Sequence, residues 1–192
     1  LPLRIDPETT RLAIAPHAEA LPGAAITFAG GGAGLVELQA SVTVPPDGHS
    51  GRLTAPGLPR KEIEQLVDCI GQIDKLDISD LDYRIQCHLS GNDRYHSHFG
   101  LPLCMALIAS YIRRRLPPHI YLGEVDLFRR ILRLPQSILE EVSSAMDFND
   151  IPRGATLMVP PSACEYLRNH GCVRVVPCAK LEDAIFQTWP DL

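Results

Sequence analysis

Residues 94–112, "RYHSHFGLPLCMALIASYI", decide the fold of this chain because they join a polar loop to its most apolar segment. After Gly100 the segment is apolar nearly all round, which is typical of a helix buried on every side. We predict a central helix from about Pro102 to Arg114, with a core made of Leu103, Met105, Ala106, Leu107 and Ile108. Two histidines, His96 and His98, stand at the helix entrance, where a reactive side chain is often positioned.

The composition describes a folded chain with a sizeable core. It has 192 residues, of which 45% are hydrophobic, and a formal net charge of −5. This charge excludes a protein that coats nucleic acid or anionic membrane over its whole surface. No apolar run approaches the roughly 18 residues of a membrane span, and the first residues lack the features of a signal peptide. We therefore expect a cytoplasmic protein that does not bind membranes.

The six cysteines contain no C-x-x-C pair, and several lie inside apolar patterns. A thiol in such a position behaves as a small hydrophobic side chain. We expect them to be reduced and mostly buried.

The pattern of prolines and apolar residues divides the chain into an N-terminal arm or linker, residues 1–23, and a domain, residues 24–192. Strict alternation in "LVELQASVTV" predicts a strand with one buried face, and the preceding glycines at 30–32 and 34 predict a hairpin turn rather than a phosphate loop. Helical spacing recurs in "PRKEIEQLVDCIGQIDK", "SILEEVSSAM", "SACEYLRNHG" and "KLEDAIFQTW". Hairpins followed by alternating helices and strands predict an α+β fold.

Three local features refine these elements. Ser137 with Glu140, and Ser162 with Glu165, have the spacing of capping boxes. Gly171 is suited to the left-handed conformation that ends a helix. "IYLGEVDLF" predicts a strand over about residues 120–127.

The order of these elements resembles the C-terminal proteolytic domain of the Lon family of AAA+ proteases, over about residues 24–190. "GAGLVELQASVTVPPDGHSGRLTAPGLPRKEIEQLV" is similar to that domain's opening hairpin, strand and first helix, and "GLPLCMALIASYI" to its central helix. "GEVDL" is similar to the family's Gly-Glu strand, and also to the Lon-like C-terminal domain of bacterial RadA. The resemblance implies the ribosomal S5 domain 2-like fold.

The resemblance also implies that the serine–lysine dyad of the family is degenerate here. Alignment on Gly100 places His98 at the serine position. Alignment on the Leu134–Pro135 pair places Val142 at the lysine position. A serine hydroxyl becomes a nucleophile only when a base takes its proton, and valine accepts no proton. We therefore expect no peptidase activity through these positions.

Other residues provide alternatives. Ser97 is the fallback nucleophile, with His96 as a neighbouring base and Glu140 as a general acid. His96 and His98 could also bind a metal together with His88 or Glu124. The arginines at 113–115, 129, 130 and 133 could contact phosphate, which would make the chain a nucleic-acid-contacting module. We expect no metal and no cofactor, because two histidines in a polar loop are more often solvated than bound to a metal. Helix-end cations and a solvated edge are likewise the more common explanation of the arginines.

The function that this reasoning favours is a catalytically inactive Lon-like domain that serves as an assembly or interaction module. The resemblance implies an AAA+ or related ATPase as its partner, in cis or in trans, and a homo-oligomer as one form of assembly. A Walker A sequence is absent from the chain, so ATP binding would belong to the partner. A Lon-type peptidase that uses Ser97 and a nucleic-acid-contacting module remain the alternatives.

Overall fold

Seven strands form one mixed sheet in the computed structural model, which describes residues 23–46, 49, 51–87, 95–152, 154–171 and 173–192. Residues 1–22 of the predicted arm at 1–23, and the residues His88, Leu89 and Cys172, lie outside the described residues. The strands are β1 Ala24–Phe28, β2 Leu35–Thr43, β3 Leu53–Thr54, β4 Asp82–Cys87, β5 Ile120–Tyr121, β6 Thr156–Val159 and β7 Arg174–Pro177. The helices are α1 Arg60–Gly71, α2 Gly100–Ile112, α3 Gln136–Asp147, α4 Pro161–Leu167 and α5 Leu181–Thr188.

The strand order is β3-β4-β2-β1-β5-β6-β7. The pairs β1/β2 and β2/β4 are antiparallel, whereas β3/β4, β1/β5, β5/β6 and β6/β7 are parallel. The part of the sheet from β4 to β1 is therefore antiparallel, with the short β3 added in parallel at its edge. The part from β1 to β7 is parallel, and its strands are joined by crossovers. This arrangement confirms the predicted α+β class.

Two hydrophobic clusters cover opposite faces of the sheet. One contains residues of α1, α2 and α5, and the other contains residues of α3 and α4. Strand β1 contributes to both, because Ala25 packs in the first cluster and Phe28 in the second, as the period of two requires. Strand β1 thus lies between the central helix and α3.

The central helix α2 confirms the main prediction. Its first ten residues, Gly100 to Ala109, are all buried, and the five predicted core side chains have no exposed area. The helix begins two residues before Pro102 and ends at Ile112, because Arg113 takes the left-handed conformation with a φ of 54°. The predicted end at Arg114 is therefore too late.

Three predictions about local structure are wrong. Both expected capping boxes fail, because α3 begins after Pro135 and α4 begins with Pro161, which places Ser137 and Ser162 inside the helices. Proline favours a helix start because its φ is fixed and its missing N–H is not needed there.

The third wrong prediction is the length of the strand at 120–127. It ends at Tyr121, and although Leu122 N still donates to Met158 O of β6 at 3.0 Å, the backbone then bonds elsewhere. Gly123 N donates to His98 O at 3.1 Å, and Gly123 O accepts from Leu101 N at 2.8 Å. The chain after β5 is thereby tied to the start of α2. The left-handed conformation predicted for Gly171, in contrast, is confirmed by its φ of 58°, although α4 already ends at Leu167.

Candidate functional site

The entrance to α2, residues 96–100, separates two regions with different chemistry. A short 3-10 turn, Ser97–Phe99, leads into the helix at Gly100. A Cβ atom on Gly100 would lie 2.9 Å from Val125 N, which is closer than real Cβ contacts. Glycine is therefore required here by the close approach of the chain after β5. We call the side that faces β1 and α3 the hairpin side, and the side that faces α1 the cleft side.

His98, at the predicted serine position, is a buried structural residue on the hairpin side. Its side chain is 1% exposed, and Nε2 lies 2.7 Å from Phe28 O of β1. Because a carbonyl oxygen can only accept, Nε2 must carry the hydrogen. Burial lowers the pKa of His98 to about 4, so the ring is neutral at physiological pH.

Val142, at the predicted lysine position, is fully buried in α3. It belongs to the same cluster as Phe28 and Ile138. Of the two positions that the sequence singled out, His98 therefore contacts the Phe28 carbonyl, and Val142 lies in the same apolar cluster as Phe28. We call Phe28, His98, Ile138 and Val142 the hairpin-side cluster. It contains no nucleophilic hydroxyl and no amine.

The glycine turn between β1 and β2 is fastened to α3 by a carboxylate that the sequence analysis missed. The Glu141 side chain accepts hydrogen bonds from Gly32 N at 3.1 Å and Gly34 N at 3.3 Å. At Gly30, an added Cβ would meet both His96 Nε2 at 3.2 Å and Ile138 Cδ1 at 3.3 Å. The prediction of a hairpin turn is confirmed, and the turn closes over the hairpin-side cluster.

Ser97, the fallback nucleophile, lies on the other side of the entrance. It is exposed and borders a cleft of about 350 Å³ between α1 and residues 124–127. The His96 ring is instead placed against Gly30 and stacks on His98, with ring centroids 5.4 Å apart. The structure thus does not bring Ser97 and His96 together as a nucleophile–base pair.

The three lysines do not supply a base for Ser97 either. Lys61 and Lys180 are exposed on α1 and before α5, and Lys75 lies in the turn after α1. None of them lines the cleft. Glu140 is exposed on α3, where its Oε1 accepts a hydrogen bond from Gln136 at 3.0 Å.

The cleft side is acidic. Its lining includes three carboxylates, Glu62, Glu124 and Asp126, and among the described residues no lysine, arginine or histidine. Burial and the nearby Glu62 carboxylate raise the pKa of Tyr95, so its phenol stays protonated. Burial also raises the pKa of the Cys69 thiol, which donates to Asp126 O at 3.4 Å.

Several of the arginines proposed for phosphate contact are held in ion pairs. Arg129 pairs with Glu182 at 2.6 Å, Arg130 with Asp126 at 2.7 Å, and Arg114 with Asp191 at 2.8 Å. Each pair neutralises part of the positive charge that a phosphate would require.

Within the part of the chain that the structure describes, no three side chains of His, Cys, Asp or Glu come together in a way that could hold a metal ion. The proposed partner His88 lies outside that part. Within the same described part, no helix is long and apolar enough to cross a membrane.

Comparisons with known proteins leave the site to be interpreted from its own geometry. No protein-family model matches the chain, and no curated protein is significantly similar to it.

Proposed function

We propose that this chain is a catalytically inactive Lon-protease-like domain that serves as an assembly or interaction module, working with an AAA+ or related ATPase in cis or in trans. The observation that supports this most is the state of the hairpin-side cluster. A neutral, buried imidazole occupies the position expected for the serine, and a buried valine the position expected for the lysine. Neither side chain can reproduce a hydroxyl activated by a desolvated amine.

The exposed apolar side chains support the interaction part of the proposal. Phe128 is 71% exposed, Phe148 76% and Phe186 62%. Single exposed apolar residues are common, but three phenylalanines at such exposure are large apolar areas left in water. Contact with a partner would remove them from solvent. We also infer a cytoplasmic location, because Cys69, Cys104, Cys164 and Cys178 are buried thiols rather than disulfides.

The test of this proposal is proteolysis together with assembly. The purified chain is incubated with unfolded casein, with and without ATP, and its mass is followed by light scattering at micromolar concentration. We expect no cleavage, and a monomer or weak oligomer, because an isolated domain lacks the effective concentration that an ATPase ring provides. Casein cleavage would overturn the loss of catalysis, and a stable hexamer of the isolated chain would show that it assembles without an ATPase.

One observation favours the second candidate, a peptidase with a displaced active site. Ser97 is exposed at a cleft, where a substrate could reach its hydroxyl. The same assay separates the two candidates, because cleavage through this site would disappear in Ser97→Ala. The nucleic-acid-contacting module is the third candidate, and the ion pairs of Arg114, Arg129 and Arg130 argue against it.

A further inference from the structure

The cleft beside Ser97 combines an apolar floor with an uncompensated acidic rim. Leu66 of α1 is buried at its floor, and Val125 lies opposite. Glu62 and Glu124 are exposed at the rim. The third carboxylate, Asp126, is already matched by the Arg130 guanidinium at 2.7 Å. Among the lining residues that the structure describes, no cation therefore accompanies the other two carboxylates.

The lip of the cleft is a turn that is held rigidly. Asp126 Oδ1 accepts from Phe128 N at 2.9 Å and from Arg130 N at 2.8 Å. Between these two residues, the Arg129 side chain donates hydrogen bonds to Glu182 Oε1 at 2.6 Å and to Gln72 Oε1 at 2.9 Å. Leu181 N of α5 also donates to Arg129 O at 2.8 Å. The turn is thus tied to α5 through its backbone, and to α5 and the residue after α1 through the Arg129 side chain.

This rigid turn presents two apolar side chains to solvent. Leu127 is 60% exposed and Phe128 is 71% exposed, and the Arg130 guanidinium lies over the Phe128 ring, 5.4 Å from its centroid. An apolar group that is already ordered costs little further conformational entropy when a partner covers it. Together, the apolar lip of the cleft and its acidic rim fit an occupant that carries both an apolar side chain and a cation.

We propose that this cleft binds a basic segment of a partner protein, in which an arginine or lysine enters beside Glu62 and Glu124 and a neighbouring apolar side chain covers Leu127 and Phe128. The volume of about 350 Å³ lies at the lower end of the roughly 300–1,000 Å³ typical of ligand sites, which suits one long side chain rather than a cofactor. The net charge of −5 favours the approach of such a segment. This inference rests on the proposed role as an interaction module and names the chemistry of the partner.

The experiment uses the full chain and a fluorescein-labelled peptide, Gly-Leu-Arg-Leu-Arg-Gly, with fluorescence polarisation as the readout. A matched peptide carries glutamine in place of each arginine. We expect the arginine peptide to bind and the glutamine peptide to bind at least tenfold more weakly. Glu124→Gln should weaken binding of the arginine peptide about fivefold, as one partly exposed ion pair does. The double variant Glu62→Gln/Glu124→Gln should weaken it further.

Control variants keep the test specific. Glu165→Gln removes the same charge from the exposed face of α4, away from the cleft, and should leave binding unchanged. Leu127→Asn should weaken binding without changing the charge, and circular dichroism confirms that each variant is folded.

Three outcomes would overturn the proposal: equal binding of the two peptides, no binding of either at millimolar concentration, or equal weakening by Glu165→Gln and Glu124→Gln. Self-association that Glu124→Gln abolishes would assign the cleft to a second copy of the chain and would also overturn it. A failed peptide experiment on a chain that still leaves casein intact would refute this inference alone. Casein cleavage would instead refute the proposed function.

Discussion

The two sides of the α2 entrance differ in almost every physical property, although Ser97 on the cleft side and His98 on the hairpin side are neighbours in the chain. On the hairpin side, His98, Phe28 and Val142 are buried, and Glu141 fastens the glycine turn above them. On the cleft side, Ser97, Glu62 and Glu124 are exposed around an open volume. The difference teaches that the position where the resemblance expects chemistry is packed as core, while the neighbouring surface is available for binding.

The largest effect should follow from placing a charge on the hairpin side. Val142→Lys would bury an unpaired ammonium among Phe28 and Ile138, and should lower the free energy of unfolding by about 3–5 kcal/mol. Glu124→Lys, on the exposed rim of the cleft, should change it by less than about 0.5 kcal/mol. Urea denaturation measures both. Similar stabilities for the two variants would mean that water reaches position 142 on the hairpin side.

The pH dependence of stability should also show that the hairpin side is buried, because the His98 ring is enclosed there. Its pKa is lowered to about 4 in the folded chain, below the value near 6.5 expected when unfolded. Between these pH values His98 is protonated in the unfolded state but neutral in the folded state, so stability falls as pH decreases from about 6.5 to 4. The full loss is about 3 kcal/mol, with no further loss from this residue at lower pH.

The variant His98→Gln isolates this contribution, because the amide can still donate to Phe28 O but does not titrate. Urea denaturation of both proteins at pH 7, 5.5 and 4 gives the free energy of unfolding of each at each pH. The slopes of this free energy against pH are then compared. We expect the wild type to lose more stability than the variant over this range. Parallel curves would contradict a buried neutral imidazole.

A smaller effect should come from the fastening of the hairpin. Glu141→Ala removes a carboxylate that accepts from Gly32 N and Gly34 N, and should cost about 1 kcal/mol, because one of the two amides is exposed and can bond water instead. Hydrogen exchange at these two amides should accelerate. The adjacent Glu140→Ala, whose carboxylate bonds only along its own helix, serves as the control. Unchanged exchange in Glu141→Ala would show that the glycine turn is ordered without the hydrogen bonds to Glu141.

The smallest effect should be on the cleft side. Ser97→Ala removes an exposed hydroxyl, and should change the unfolding free energy by less than about 0.5 kcal/mol in urea denaturation. A loss above about 1 kcal/mol would mean that the hydroxyl is part of the packing of the entrance.

The sequence predicted the fold well where periodicity is strong. Alternation in β2 correctly placed Val36, Leu38 and Ala40 inside, and the continuous apolar run correctly placed α2 at the centre. Val44 was also expected inside but is 82% exposed, because β2 ends at Thr43. The pattern of side chains does not reveal where the ladder of backbone hydrogen bonds stops.

The candidate site was less predictable because its contacts span long distances in the chain. Glu141 bonds to glycines more than a hundred residues away, and His98 bonds to Phe28 across 70 residues. No local spacing encodes such pairs. The capping boxes failed for the opposite reason: the spacing was present, but Pro135 and Pro161 set the helix starts first.

The claim that this chain lacks serine protease chemistry is tested most directly by covalent labelling with a fluorophosphonate, which reacts with activated serine hydroxyls. The full chain is incubated with the fluorescent reagent at pH 8, beside an active serine protease and the Ser97→Ala variant, and labelling is read on a denaturing gel. We predict no labelling of the wild type, because the described residues that line the cleft around Ser97 include carboxylates but no lysine or histidine. Labelling of the wild type that disappears in Ser97→Ala would contradict this account.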